Sequence, residues 1–277
     1  MAGTPIALSE DDLQTMVDIV ATAGSTIAEE GGPDPADSGP SVGLPWWVLH
    51  RIRALVRCDE LSWHDLESAQ QRTTFLMDAR DDGDELTLAD GFDDPADDPF
   101  WQHYWQSPCS YPERSGDLRG VTMRSDFYSA REWRATPFYL DDADRLQHSM
   151  LLTLPGGPGR TLRLVAFRQS GPTFSERDRS IFLLLRPHLY AIHLRVERQR
   201  RGIPDLTERQ WQLLQLVALG HTNGQIARRL GVAEGTVRKH MENIHSRLGV
   251  TSRAAALARA FPDRFATALH PAHLVPA

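Results

Sequence analysis

Lysine is almost absent from this chain: of 30 basic residues, Lys239 alone is lysine and the others are arginine. Cysteine is nearly as scarce. Cys58 and Cys109 cannot build a disulfide framework, and they suit a reducing compartment. Long apolar runs are missing too, since a stretch such as Ile181 to Leu185 is far too short to cross a bilayer. No basic residue precedes Arg51, while Glu10, Asp11 and Asp12 stand near the start, so no secretory signal is read. A cytoplasmic protein without membrane association is expected. What is present is ordinary globular material: 277 residues, 41% hydrophobic and 24% charged, enough for about two domains.

The net charge of −7 argues against nucleic acid only if it is evenly spread. It is not. Residues 204–277 carry a net +4, and the preceding 203 residues carry −11. An acidic first part is joined to a small basic one.

In the first part, residues 8–27 read as an amphipathic helix with Leu13, Met16, Val17 and Val20 on one face. A Gly/Pro/Ser/Asp-rich stretch from Gly31 to Pro45 reads as a linker, and residues 46–56 as a second helix. Strands are expected at 59–66, 72–79, 150–154 and 161–168, the last two joined through Pro155-Gly156-Gly157-Pro158-Gly159 as a hairpin. Residues 81–98 hold nine acids without calcium-loop spacing and read as a solvated loop. Ser175 with Asp178 opens a helix to about Gln199, with Pro187 expected to kink it. Its seam of Leu185, Leu189, Ile192 and Val196 suits either a parallel dimer or the domain's own sheet. Consecutive strands without intervening helices indicate an antiparallel sheet and an α+β class.

The second part is all-α with four helices. Thr207 with Gln210 and Thr222 with Gln225 are capping boxes. Gly231-Val232-Ala233-Glu234 is a tight turn into a third helix, whose Val237, Met241, Ile244 and Leu248 recur at four, three and four. Thr251 or Ser252 caps a fourth. Two short helices joined by such a turn form a helix-turn-helix, in which the second helix enters the major groove. Opposite its apolar face stand Arg238, Lys239, Glu242 and Ser246. Arg and Lys can donate to guanine, and Glu can accept from cytosine. Thr222, Asn223 and the free amides at the start of the preceding helix suit phosphate.

The stretches LTERQWQLLQLVALG (206–220), HTNGQIARRLGV (221–232) and AEGTVRKHMENIHSRLGV (233–250) resemble the LuxR-type DNA-binding domain. That resemblance implies groove-facing Thr236, Arg238, Lys239 and Glu242. It implies backbone-contacting or supporting Arg209, Thr222, Asn223 and His240, and a dimerisation helix around Ala254, Leu257 and Ala258. There are departures: Gln210 stands for a usual Glu, Gly224 for a common Lys and Ala233 for the usual Ser or Thr cap, while Glu242 sits where some relatives carry a cation.

A phosphorylation receiver is disfavoured, because it needs alternating β and α units and a late lysine of its own. The spacing of Trp101, Tyr104 and Trp105 does not keep that of acyl-homoserine-lactone receptors. Residues 108–133 and 154–189 instead resemble actinobacterial LuxR-type regulators with a GAF-like sensor, whose fold places a small-molecule pocket on one face of an antiparallel sheet. Eleven of the 22 aromatic residues lie between Phe92 and Tyr139. They read as core or, in part, as a pocket built from Trp101, Trp105, Phe127, Tyr128, Trp133 and Tyr139. Ser110, Ser125 and Ser129 lack elbow glycines, and Cys109 has no histidine placed with it. No catalytic residue, metal site or cofactor is expected.

The expected organisation is a helix and linker at 1–44, a GAF-like sensor and dimerisation domain at 45–200, a helix-turn-helix domain at 204–263 and a flexible tail at 264–277. The expected function is sequence-specific transcription regulation by a homodimer, with Leu189, Ile192 and Val196 at the pairing helix. Double-stranded DNA is the partner; a small-molecule effector and RNA polymerase complete the picture. The alternative is a first domain that only dimerises or binds a protein, and a third reading is an enzyme domain fused to a DNA-binding module.

Overall fold

The computed structural model describes residues 8–25, 42–91, 98–137, 147–157, 159–204 and 206–261. Two compact units meet within one helix, at Val196 and Glu197.

The first unit opens with α1 (Glu10–Ser25) and α2 (Trp46–Val56), then β1 (Glu60–Glu67), β2 (Arg72–Arg80) and β3 (Glu85–Leu88). Three short helices follow around an edge strand: α3 (Pro99–His103), α4 (Tyr111–Ser115), β4 (Val121–Met123) and α5 (Ala130–Trp133). A hairpin of β5 (His148–Gly157) and β6 (Arg160–Arg168) leads to the long α6 (Glu176–Arg200), which continues through Pro187. The six strands form one sheet in the order β3-β2-β1-β6-β5-β4, every neighbouring pair antiparallel. β3 lies inside the acidic stretch that sequence alone reads as loop.

Side chains alternate across a strand, so each strand gives one set to each face. Leu61, Trp63, Met77, Leu164, Ala166 and Met150 lie on one face, in the main core with α1, α2 and α6. Gly43 enters this core at φ +81, where a Cβ would strike Met77 and Trp63; only glycine fits there. The opposite face carries the polar alternates Glu60, Ser62, His64, Asp78 and Arg163.

The inward stripe of α1 is Asp12, Met16, Ile19 and Ala23, while Leu13 and Val17 are 48% and 58% exposed. This corrects the expected face of Leu13, Met16, Val17 and Val20, although Val20 is partly buried. The stripe turned because Asp12 is drawn inward by Arg177, whose Nε donates to it at 2.9 Å. That partner is remote in sequence.

The second unit holds α7 (Glu208–Ala218), α8 (Asn223–Leu230), α9 (Glu234–Leu248) and α10 (Arg253–Ala260). Its core is separate, built on Trp211, Leu214, Ile226, Val237, Ile244 and Leu248. No helix among the described residues is long and apolar enough to cross a membrane.

Candidate nucleic-acid interface and sensor cavity

Two capping boxes set the entry of α7 and α8. Thr207 Oγ1 accepts from Gln210 N while the Gln210 side chain accepts from Thr207 N at 2.9 Å. Thr222 and Gln225 repeat the arrangement at 2.8 Å. α8 ends on Gly231 at φ +65, a left-handed cap that turns the chain within three residues into α9. The N-cap of α9 is Ala233, which supplies no side-chain hydrogen bond.

Val237, Met241, Ile244 and Leu248 point α9 into the core. Thr236, Arg238, Lys239 and Glu242 are all exposed on its other side, and His240 is half-buried. Lys239 Nζ lies 3.6 Å from a Glu242 oxygen, a solvent-exposed pair of little energetic value that can exchange for DNA. Arg238 has no polar partner among the described residues. Thr222 is exposed at the start of α8, but Asn223 is partly engaged: its side-chain oxygen accepts from Arg253 at 3.1 Å. Arg209 bonds Gln212 and the carbonyl of Leu230, and so ties α7 to the end of α8. Sequence reading missed Arg253, whose role depends on a contact 30 residues away.

The residues named for pairing divide. Leu189 and Ile192 lie inside the single-chain core against the sheet, so they are not free to form an intermolecular seam; Val196 is half-buried. Sheet packing claimed that period, and Leu183 and Leu184 on the other side of α6 are left exposed. On α10, Ala254 and Ala258 face outward and Leu257 packs partly on the second core.

In the first unit a cavity of about 490 Å³ lies over the polar face of the sheet, within the size range of small-molecule sites. Its floor is built from β1, β2, β5 and β6, and Phe100, Pro108, Cys109 and Trp133 contribute from the segment between β3 and β5. Of the aromatic residues named from sequence, only Trp133 lines it. Trp101 is buried against Phe100 and Tyr104, with ring centroids 4.9 and 5.1 Å away. Trp105 is 45% exposed, Phe127 packs on Tyr111, and Tyr128 borders a smaller hollow of about 260 Å³. Tyr139 lies outside the described residues. Trp101 therefore belongs to a small satellite core with Tyr104 and Phe100, because a short helix brings these neighbouring aromatics together.

Two buried arginines border the cavity and differ in their partners. Arg163, on β6, donates to Tyr104, to the carbonyl of Cys109 and to Thr161, and pairs with Glu113. It pins the covering segment to the sheet. Arg124, just after β4, is 5% exposed and gives Nη2 to His148 Nδ1 at 3.3 Å. Its Nε and Nη1 have no hydrogen-bond partner among the described residues. On β1, directly across from Arg163, His64 also has an unpartnered Nδ1 among the described residues. Burial first, and then the charge of Arg163, lower its pKa to about 3. Burial pushes the Cys109 thiol up, making it a poor nucleophile. At the far end Glu60 and Asp78 share Arg80, each at 2.9 Å. The signal for this lining was the alternation Glu60-Leu61-Ser62-Trp63-His64, which reads equally well as a solvated strand face.

Residues 204–260 match the model of GerE, bacterial regulatory proteins of the luxR family. The matched span holds α7 to α10, the four helices of the second unit. Among solved structures it is similar to SdiA in complex with octanoyl-rac-glycerol, at 16% identity over 92% of this chain and 96% of that one, TM-score 0.38. It is similar to the VqsR LBD domain from Pseudomonas aeruginosa, at 14% identity over 71% and 100%, TM-score 0.40. It is also similar to free methionine-R-sulfoxide reductase from Neisseria meningitidis in complex with its substrate, at 12% identity over 72% and 99%, TM-score 0.38.

Proposed function

We propose that this chain is a sequence-specific transcription regulator whose first unit is a GAF-like sensor for a small-molecule effector. The observation that carries DNA reading is α9. It follows a tight turn from a capped helix, buries one apolar face and presents Thr236, Arg238, Lys239 and Glu242 on the other. Arg238 and Lys239 reach base edges, Thr222 and the first amides of α8 hold phosphate, and Asn223, Arg209 and His240 support them. The effector reading rests on the 490 Å³ cavity and on the unpartnered buried polar atoms of His64 and Arg124, two of the residues that line it. Pairing of two copies runs through α10, at Ala254, Leu257 and Ala258, and through the end of α6 near Val196.

Selection of bound duplexes from a random pool by the full chain, followed by a salt titration, tests the DNA reading. A consensus sequence and an affinity that falls linearly in log–log form with salt are expected. Absence of any salt-sensitive binding defeats it.

A second reading is favoured by Leu183 and Leu184, 42% and 51% exposed on neighbouring positions of α6. On this reading the first unit docks a protein, or a second copy, and senses no small molecule.

A further inference from the structure

We propose that the effector is a small monocarboxylic acid whose carboxylate pairs with Arg124 while its apolar body lies across the sheet. The inference rests on the effector reading of the cavity and adds the chemistry of what fills it.

A buried guanidinium without a counter-charge is costly, and buried cations in folded proteins are normally paired. Arg124 breaks that pattern. Its one hydrogen-bond partner among the described residues is His148, whose Nε2 bonds the carbonyl of Gly171 at 3.1 Å. That bond requires a proton on Nε2, which leaves Nδ1 as an acceptor and the ring neutral. Burial and Arg124 itself hold the His148 pKa down in the same sense. His148 therefore brings no negative charge. Asp126, two residues along, is held by Arg179 at 2.7 Å and by the backbone of Met123. The indole of Trp133 lies 5.9 Å from the guanidinium, and the buried Nε and Nη1 donors have no partner among the described residues.

The rest of the cavity supplies an apolar bed and a direction. Met123 pairs with Met150, so Arg124 continues the row of Ser149, Phe167 and Glu60 across β5, β6 and β1. Three strand spacings put Arg124 about 14 Å from Glu60. Between them lie Phe167, Val165 and Leu151. At the far end two carboxylates, Glu60 and Asp78, share the guanidinium of Arg80. One end attracts an anion and the other repels it, so a monocarboxylate has one orientation and a dicarboxylate that spans the cavity is disfavoured.

The test is calorimetry and thermal shift on the full chain with octanoate, phenylacetate and indole-3-acetate, each beside its primary amide, and with suberate beside octanoate. The expected result is acid-dependent stabilisation, at least tenfold weaker binding of the matching amide, and weaker binding of suberate than octanoate. Arg124→Met should lose the acid at least tenfold and be no less heat-stable without ligand, and Arg124→Lys should keep part of the affinity. If amides bind as well as acids, or Arg124→Met keeps the acid, the carboxylate assignment falls and the effector cavity stands. If neither acids nor amides bind, both fall. A ligand-free Arg124→Met protein that melts well below the parent would make Arg124 a structural residue and overturn the proposal.

Discussion

Arg253 donates to the side-chain oxygen of Asn223 at 3.1 Å and to the carbonyl of His221, so the start of α10 holds the start of α8. The start of α8, which the proposed reading sets against phosphate, is thus braced from within its own domain.

Arg253→Met should destabilise the second unit by about 1–3 kcal/mol, because two hydrogen bonds from a charged, half-buried group are lost. DNA affinity should drop evenly across sequences, since on the proposed reading α8 meets the phosphate backbone and α9 reads the bases. Urea unfolding followed through Trp211, together with binding to two unrelated duplexes, checks both parts. A selective loss on one duplex would contradict the bracing role.

Arg238→Ala should relax specificity at one base pair, at a cost of about 1–3 kcal/mol on the preferred duplex. Repeating the duplex selection with the variant reads this directly. An equal loss on every sequence would instead make Arg238 a phosphate contact.

Ala233 occupies the N-cap of α9 with an extended backbone and no side-chain bond. Ala233→Ser should stabilise the second unit by about 1 kcal/mol, by satisfying an amide of the first turn. Comparison of denaturation midpoints is sufficient, and an unchanged or lower midpoint refutes the capping argument.

His64 has a folded-state pKa of about 3, far below that of an unfolded histidine. Between these values the unfolded chain binds the extra proton and the folded chain does not, so stability falls as pH drops below about 6.5. His64→Gln should remove this dependence, a difference of about 1–2 kcal/mol between pH 7 and pH 5. Parallel urea titrations at both pH values measure it. Identical pH slopes for variant and parent would show that His64 is not kept neutral by burial.

How much was legible in advance varies with the range of the forces involved. The second unit is nearly all local: capping boxes, Gly231 and Gly249 as stops, and an apolar period in α9, each set by residues within a turn or two. The hairpin of β5 and β6 and the antiparallel class could be read in the same way. Long-range contacts were not legible. Asp12 turned α1 because Arg177 lies 165 positions away, and Leu189 and Ile192 went to the sheet although their period suits a second helix equally well.

The scarcity of lysine and the split of charge, with its basic end, belong to the sequence alone, and so do the capping boxes, the Gly231 turn and the apolar period that located α9. The cavity belongs to tertiary structure. A strand presents alternate residues to two faces, and whether a polar face meets water or a covering segment depends on where remote chain comes to lie. Arg163 pins that cover through Tyr104, Cys109 and Glu113, while Arg124 is buried with two donors unpaired among the described residues.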